Sequence, residues 1–256
     1  MPFVTAAGHS LEYEWLDAGE PGKPTLVFLH EGLGSIRQWR DFPLQVAMAT
    51  GCRALVYSRY GYGQSEVLRE DKAGVRFMHR EALEALPALI AALRIDNPVL
   101  VGHSDGASIA LIYAGTAGHP VRGVAAMAPH VFVEPICVES IREASEAFTR
   151  SDLAQRLGKY HRDAAKTFHL WADAWLDPEF LRWNIEEYLP GVRCPVLAIQ
   201  GADDEYGTME QLARIRRGVR GHCELLELAA CGHAPFRDQP QATLNAITRF
   251  IHERCG

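Results

Sequence analysis

No stretch of about 18 apolar residues occurs anywhere in the 256-residue chain, so no segment reads as a membrane-spanning helix. The opening residues, MPFVTAAGHSLEYEWLDAGEPG, lack a basic run followed by an apolar one, which argues against a secretory leader. Positive charge is scarce. Lys and Arg total 26 against 32 Asp and Glu, a net charge of -6, so neither nucleic acid nor an anionic membrane is an expected partner. No Cys-x-x-Cys pair occurs. The six cysteines (Cys52, Cys137, Cys194, Cys223, Cys231, Cys255) are scattered. In a chain this long they read as reduced thiols of a cytoplasmic protein, not as a disulfide framework or a zinc site. There is no internal repeat and no low-complexity segment. What remains is 48% hydrophobic and 23% charged, enough for one core with room for an insertion.

Short apolar runs recur along the chain: TLVFLH at 25–30, RALVYS at 53–58, PVLVGHS at 98–104, VRGVAAMAPH at 121–130, PVLAIQG at 195–201 and CELLELA at 223–229. Continuous runs of this length suggest strands covered on both faces. Helical spacing lies between them, at 77–95, 107–117, 208–219 and 241–254. Pro87 must kink the first of these or sit near its start. Strands alternating with helices predict a mostly parallel sheet between two helical layers. The rhythm breaks at 133–192, which holds helix-like pieces, many aromatics and no good strand. Residues 1–132 and 193–256 therefore read as the core, and 133–192 as a helical insertion over the sheet. Most of its aromatics are expected simply to pack that insertion onto the core.

Gly102-His103-Ser104-Asp105-Gly106 interrupts a buried-looking stretch between PVLV and ASIALIY. Gly-x-Ser-x-Gly between a strand and a helix describes a turn so sharp that the serine backbone is strained and its hydroxyl stands out at the strand end. Alone the motif is weak; its placement makes it strong. A serine hydroxyl needs a base. His233, preceded by glycine in AACGHAPFRDQP, follows the last strand-like run. The base needs an orienting carboxylate. QGADDEYG offers Asp204, with Asp203 as runner-up; the bland role of either is a turn or a helix cap. A developing oxyanion needs donors. The backbone N–H of Asp105 is one candidate. Gly32 in LHEGLGS is the other, with Glu31 and Leu33 as near alternatives.

With these segments in place the chain resembles a serine-type α/β-hydrolase over nearly its whole length: LHEGLGSIRQW, YSRYGYGQS, VGHSDG, QGADDEYG and CGHAPF fall in that family's order. The resemblance implies an eight-stranded, mostly parallel sheet with an antiparallel strand near the start. It also implies a helical cap inserted after the sixth strand, matching 133–192. There are departures. Glu31 follows His30 where the family's loop usually has Gly, and Ser58 stands where a common segment has Asp. Asp105 sits directly beside the nucleophile. Its ordinary role would be to cap the next helix; otherwise it would disfavour anionic acyl groups or bind a polar substrate group. Glu31, Leu33, His130, Trp171, Trp175 and Trp183 are the candidates for the pocket wall, with Glu134 beside His130.

Dehalogenases and epoxide hydrolases of this fold carry aspartate at the nucleophile, so Ser104 disfavours both. The expected activity is ester hydrolysis by Ser104, Asp204 and His233 through an acyl-enzyme, with no cofactor and no metal. The alternative is a carbon–carbon bond hydrolase of ring-cleavage products, or a lactonase. Such substrates are usually carboxylates and want an arginine, for which the motif segments offer only Arg37 and Arg59. A non-catalytic binding protein is the third reading. The expected partner is a small ester-like molecule; a homodimer is left open.

Overall fold

The computed structural model describes residues 1–16, 19–71 and 73–256. Eight strands form one sheet: β1 Phe3–Ala6, β2 His9–Leu16, β3 Thr25–Leu29, β4 Arg53–Tyr57, β5 Val99–His103, β6 Gly123–Met127, β7 Val196–Gly201 and β8 Cys223–Leu228. Their order is β1-β2-β4-β3-β5-β6-β7-β8. Strand β2 runs antiparallel to both its neighbours, and every other pair is parallel.

Alternation along each strand divides the core in two. Leu26, Phe28, Val56, Val101, Met127 and Ile199 face one side. There they meet α1 (Phe42–Thr50) and α9 (Pro240–Arg254) through Phe42, Val46, Ile247 and Phe250. Val27, Leu29, Leu55, Leu100, Ala126 and Ala198 face the other side. Helices α3 (Leu86–Ala92), α4 (Asp105–Gly115) and α8 (Glu210–Gly218) cover them. Both faces are dry, which is why the central strands read as continuous apolar runs.

The 77–95 segment is not one helix. Helix α2 (Phe77–Arg80) passes through a π-helical turn, Glu81–Ala85, into α3. Pro87 sits at the start of α3. A proline lacks the N–H of a regular turn and crowds the carbonyl four residues back, and the wider turn accommodates both.

Between β6 and β7 lie α5 (Pro135–Arg150), α6 (Leu153–Leu157) and α7 (Ala164–Leu176), then 3₁₀ turns at Phe180–Arg182 and Glu186–Gly191. Helix α5 buries Cys137, Ile141 and Phe148, a stripe at helical spacing. The Asp163 carboxylate caps α7 by accepting from the Lys166 N–H at 2.9 Å. Phe148 stacks on Phe168 with ring centres 4.0 Å apart, and Phe180 stacks on Trp183 at 5.3 Å. Among the described residues no helix is long and apolar enough to cross a membrane, and all six cysteines are unpaired.

Candidate active site

Ser104 joins β5 to α4 at φ 53° and ψ −119°, a left-handed backbone on a non-glycine residue. Such a conformation costs roughly 1–3 kcal/mol and persists only where its surroundings enforce it. The surroundings are visible. The Ser104 N–H is held by the Met127 carbonyl at 2.9 Å, and its own carbonyl accepts from the N–H groups of Ala107 and Ser108. A Cβ on Gly102 would stand 2.5 Å from the Gly106 carbonyl oxygen. A Cβ on Gly106 would stand 2.0 Å from the Leu29 carbonyl oxygen and 2.7 Å from that of His30. The obstacles are backbone of the neighbouring β3 strand, which cannot swing aside. Gly106→Ala is therefore expected to destabilise the fold by about 3 kcal/mol. Urea unfolding checks this, and an unchanged midpoint would refute the packing argument.

His233 reaches the serine from the loop after β8. Its Nε2 lies 2.9 Å from Ser104 Oγ. Its Nδ1 lies 2.8 and 2.9 Å from the two carboxylate oxygens of Asp204, which follows β7. The carboxylate is fixed in turn: Oδ2 accepts from Gln200 Nε2 at 2.6 Å and Oδ1 from the Tyr206 N–H at 2.8 Å. Ser104, His233 and Asp204 are thus one hydrogen-bonded chain drawn from three strand ends. Asp203 is exposed and takes no part.

Charges in this chain are shifted. Burial lowers the His233 pKa, but the hydrogen bond and charge of Asp204, with Glu205 and Glu31 nearby, outweigh it and leave it raised. Burial pushes Asp204 up, and His233 with the Tyr206 N–H pulls it below its ordinary value. Each partner stabilises the charged form of the other.

A cavity of about 120 Å³ opens over Ser104 and His233. Its walls include Glu31, Gly32, Leu33, Asp105, His130, Trp171 and Trp175. Cys137, Ile141 and Tyr206 line it too; no motif marks the first two, and Tyr206 lies in QGADDEYG two residues after Asp204. Cys137 and Ile141 come from α5, whose rotation only the fold sets. Trp183 is not part of this wall. It packs on Phe180 and borders a separate surface depression with His79 and Glu187. Glu134 also turns away. Its carboxylate accepts from Thr208 and Gln211, pinning the start of α5 to that of α8.

Asp105 does not cap α4. It is the first residue of the helix, and no side-chain cap bond forms there. It is buried against Arg59, whose Nη2 lies 3.9 Å from Asp105 Oδ2. Burial raises the Asp105 pKa to about 6, against the charge of Arg59 and the hydrogen-bonding Trp175 indole N–H that faces it. Arg59 itself stands behind the loop, with Nη2 donating to the Glu31 carbonyl at 2.8 Å and its guanidinium over the Tyr62 ring. Arg37 is on the surface, donating to the Lys159 carbonyl. Neither arginine lines the cavity.

Glu31 accounts for one departure from the family pattern. Burial opposes its charge, yet His103, His30 and Arg237 hold its carboxyl far below the ordinary range. His103 sits 3.5 Å from the Glu31 carboxylate and donates through Nε2 to the His233 carbonyl at 2.7 Å. The Glu31 carboxylate thus braces the Gly32 loop against the His233 loop. Among the described residues no cluster of three or more His, Cys, Asp or Glu side chains could hold a metal ion.

Residues 26–246 match the alpha/beta hydrolase family. The AB hydrolase superfamily protein YisY of Bacillus subtilis (strain 168) is 20% identical over 266 residues, covering 90% of this chain and 91% of that protein. A structure from a study of carboxylesterases of the thaumarchaeon Nitrososphaera gargenis aligns with a TM-score of 0.80 at 19% identity, over 98% of each chain. The enol-lactonase from Burkholderia xenovorans LB400 aligns with a TM-score of 0.77 at 18% identity, over 98% of this chain and 100% of that one. Likeness at these identities speaks for the fold alone. The family match is the stronger finding, because it runs from the third strand into the last helix and spans the turn at Ser104, Asp204 and His233. The chain belongs to the alpha/beta hydrolase family.

Proposed function

We propose that this protein is a serine hydrolase of small carboxylic esters, with Ser104 as nucleophile, His233 as general base and acid, and Asp204 as the group that orients and charges the histidine. One observation carries the reading: the continuous chain Ser104 Oγ, His233 Nε2, His233 Nδ1 and Asp204 at 2.9 and 2.8 Å, beneath a pocket. Ser104 Oγ gives its proton to His233 Nε2 and attacks the ester carbonyl. The oxyanion falls to the backbone N–H groups of Asp105 and Gly32, for which the described backbone offers no other acceptor. His233 returns the proton to the leaving alcohol. The same imidazole then activates water to release the acid from Ser104.

Residues 1–132 and 193–256 form the hydrolase core in this reading, and 133–192 the cap that lends Trp171 and Trp175 to the pocket. Gly32 suits its role by having no side chain, since a Cβ there would meet Trp171 Nε1 at 2.1 Å. The carbon–carbon alternative fits less well. Ring-cleavage substrates are carboxylates, and the described lining has no Lys or Arg while Glu31 and Asp105 add acidic charge. A panel of p-nitrophenyl esters of increasing acyl length, with lactones and one ring-cleavage dienoate, separates the readings. Turnover of the shortest esters, falling with chain length, is expected; turnover of the dienoate alone would overturn the proposal.

The pH profile carries its own expectation. His233 must be neutral to take the serine proton, and its pKa is raised above the ordinary 6.5. Activity should be lost as pH falls through that raised value, so the acid-side half-point of kcat/KM lies above 6.5. Rates measured from about pH 5 to about pH 9 check this, and a half-point below 6.5 would contradict the coupling of His233 to Asp204.

A further inference from the structure

In the proposed hydrolysis one oxyanion donor is the Gly32 N–H. The carbonyl of the same peptide group, that of Glu31, accepts from three donors: Arg59 Nη2 at 2.8 Å, His30 Nδ1 at 2.7 Å and the Gly34 N–H at 3.1 Å. A carbonyl oxygen has only two lone pairs, so this one is fully engaged. One of its donors is a guanidinium with no exposed surface. The Glu31–Gly32 peptide is trans, so its N–H points opposite to its carbonyl. Anchoring the carbonyl from behind therefore sets the direction of the N–H in front. Gly32 borders the cavity over Ser104, and no acceptor among the described residues takes its N–H.

The partners of His30 fix its tautomer. The Arg59 main-chain N–H donates to His30 Nε2 at 3.0 Å, so Nε2 carries the lone pair and the proton sits on Nδ1, facing the Glu31 carbonyl. Burial, with the charge of Arg59, lowers the His30 pKa well below its ordinary value and keeps the ring neutral. Arg59 thus serves one peptide group twice, directly through its guanidinium and indirectly through its main chain. The other oxyanion donor is the N–H of Asp105. Nη2 of the same arginine lies 3.9 Å from Asp105 Oδ2. One buried nitrogen, held over the Tyr62 ring at 4.5 Å, therefore stands between the turn after β3 and the start of α4, the two segments that carry the donors.

We infer that Arg59 is the positioning residue of the oxyanion site. It fixes the Glu31–Gly32 peptide with the N–H already directed at the oxygen that turns negative, and it pairs with the side chain of the residue that carries the second donor. Two consequences follow for the reaction. A donor fixed beforehand needs no reorganisation as charge develops. A carbonyl bonded to a cation draws electron density from its own amide, so the N–H on the far side donates more strongly. Arg59 is fully buried and does not line the cavity, so it acts on the oxyanion through the peptide and not by contact. Lysine would keep the charge but not the planar fork, so it cannot hold the carbonyl and Asp105 in the same way.

The inference rests on the serine hydrolase reading, and the test separates the two. Ser104 Oγ can add to the carbonyl of 1,1,1-trifluoro-2-pentanone: the C–O bond forms, the carbonyl electron pair passes to oxygen, and the serine proton goes to His233. Inhibition by this ketone reads the oxyanion donors, while inhibition by 2-pentanone reads the pocket alone. In Arg59→Met the inhibition constant of the trifluoro ketone should rise about 10- to 100-fold, less than the effect of deleting a donor outright. That of 2-pentanone should stay within about twofold, because it forms no oxyanion. On p-nitrophenyl butyrate kcat should fall by the same factor as the trifluoro ketone weakens, with KM changed by less than about threefold. All values are taken per active site titrated with a p-nitrophenyl phosphonate, so an unfolded fraction drops out. Arg59→Lys should fall between wild type and Arg59→Met. If Arg59→Met does not fold, Arg59→Lys decides by the same ratio of the two ketones. An unchanged ratio, or an equal loss for both ketones, overturns the role of Arg59 while leaving the hydrolase standing. A wild type that neither hydrolyses esters nor prefers the trifluoro ketone sinks the hydrolase reading, and the role of Arg59 falls with it.

Discussion

Ser104→Ala is expected to lower kcat on the best ester by about 10⁴- to 10⁶-fold, with KM changed little. The variant removes one atom and almost nothing else. Alanine keeps the Cβ, so the backbone at φ 53° bears the same strain and Gly102 and Gly106 keep their fit. The Met127 carbonyl still holds the backbone N–H at 2.9 Å. What is lost is Oγ and its 2.9 Å contact with His233 Nε2. The Asp105 and Gly32 N–H groups and the pocket walls remain, and they account for whatever rate survives. Active-site labelling gives an independent reading: a p-nitrophenyl phosphonate should release one equivalent of nitrophenol from the wild type and none from Ser104→Ala. A residual kcat within tenfold of wild type would show that the chemistry is done elsewhere.

Much of this arrangement can be read in the chain, and the physical reasons differ by element. The six apolar runs all fall on strands: β3 to β7 are inner strands of the sheet and largely dry on both faces, while β8 is its edge and only partly buried. The first two strands leave no such trace. HSLEYEWL in β2 is polar and half-exposed along most of its length, and FVTA in β1 is a short edge. Ser104, Asp204 and His233 are legible because each follows a strand and each sits in a local pattern that a turn requires. The pocket is legible only in part. His130 comes directly after β6 and Glu31 after β3, so strand ends place them. Cys137, Ile141, Trp171 and Trp175 sit on α5 and α7, where a rotation of one residue, about 100°, decides which side chain meets Ser104. Trp183 shows the cost of choosing by residue type: it is an aromatic of the same segment, spent on packing against Phe180. The buried contact of Asp105 with Arg59 joins the turn after β5 to the turn after β4, and nothing local announces it.

The choice between two adjacent carboxylates can be decided in one experiment. Asp204→Asn is expected to cost about 10⁴-fold in kcat, and Asp203→Asn no more than about threefold. Asp203 is exposed, so its amide changes only surface charge. Asp204 is surrounded by donors. Oδ1 faces the Tyr206 N–H and His233 Nδ1; Oδ2 faces Gln200 Nε2 and the same His233 nitrogen. Gln200 cannot turn over to help, because its Nε2 also donates to the Gly207 carbonyl at 3.0 Å. An asparagine at 204 must therefore set its NH₂ against either the Tyr206 N–H or the Gln200 amide. In both arrangements that NH₂ also lies beside His233 Nδ1, favouring the tautomer with its proton on Nε2. A protonated Nε2 cannot accept from Ser104. The lost negative charge also removes the cause that raises the His233 pKa, so the acid limb of the residual activity should move to lower pH. Both variants should keep their fold, and kcat with the pH profile measures both effects. Should Asp203→Asn prove the more damaging of the two, the orienting carboxylate is the wrong one.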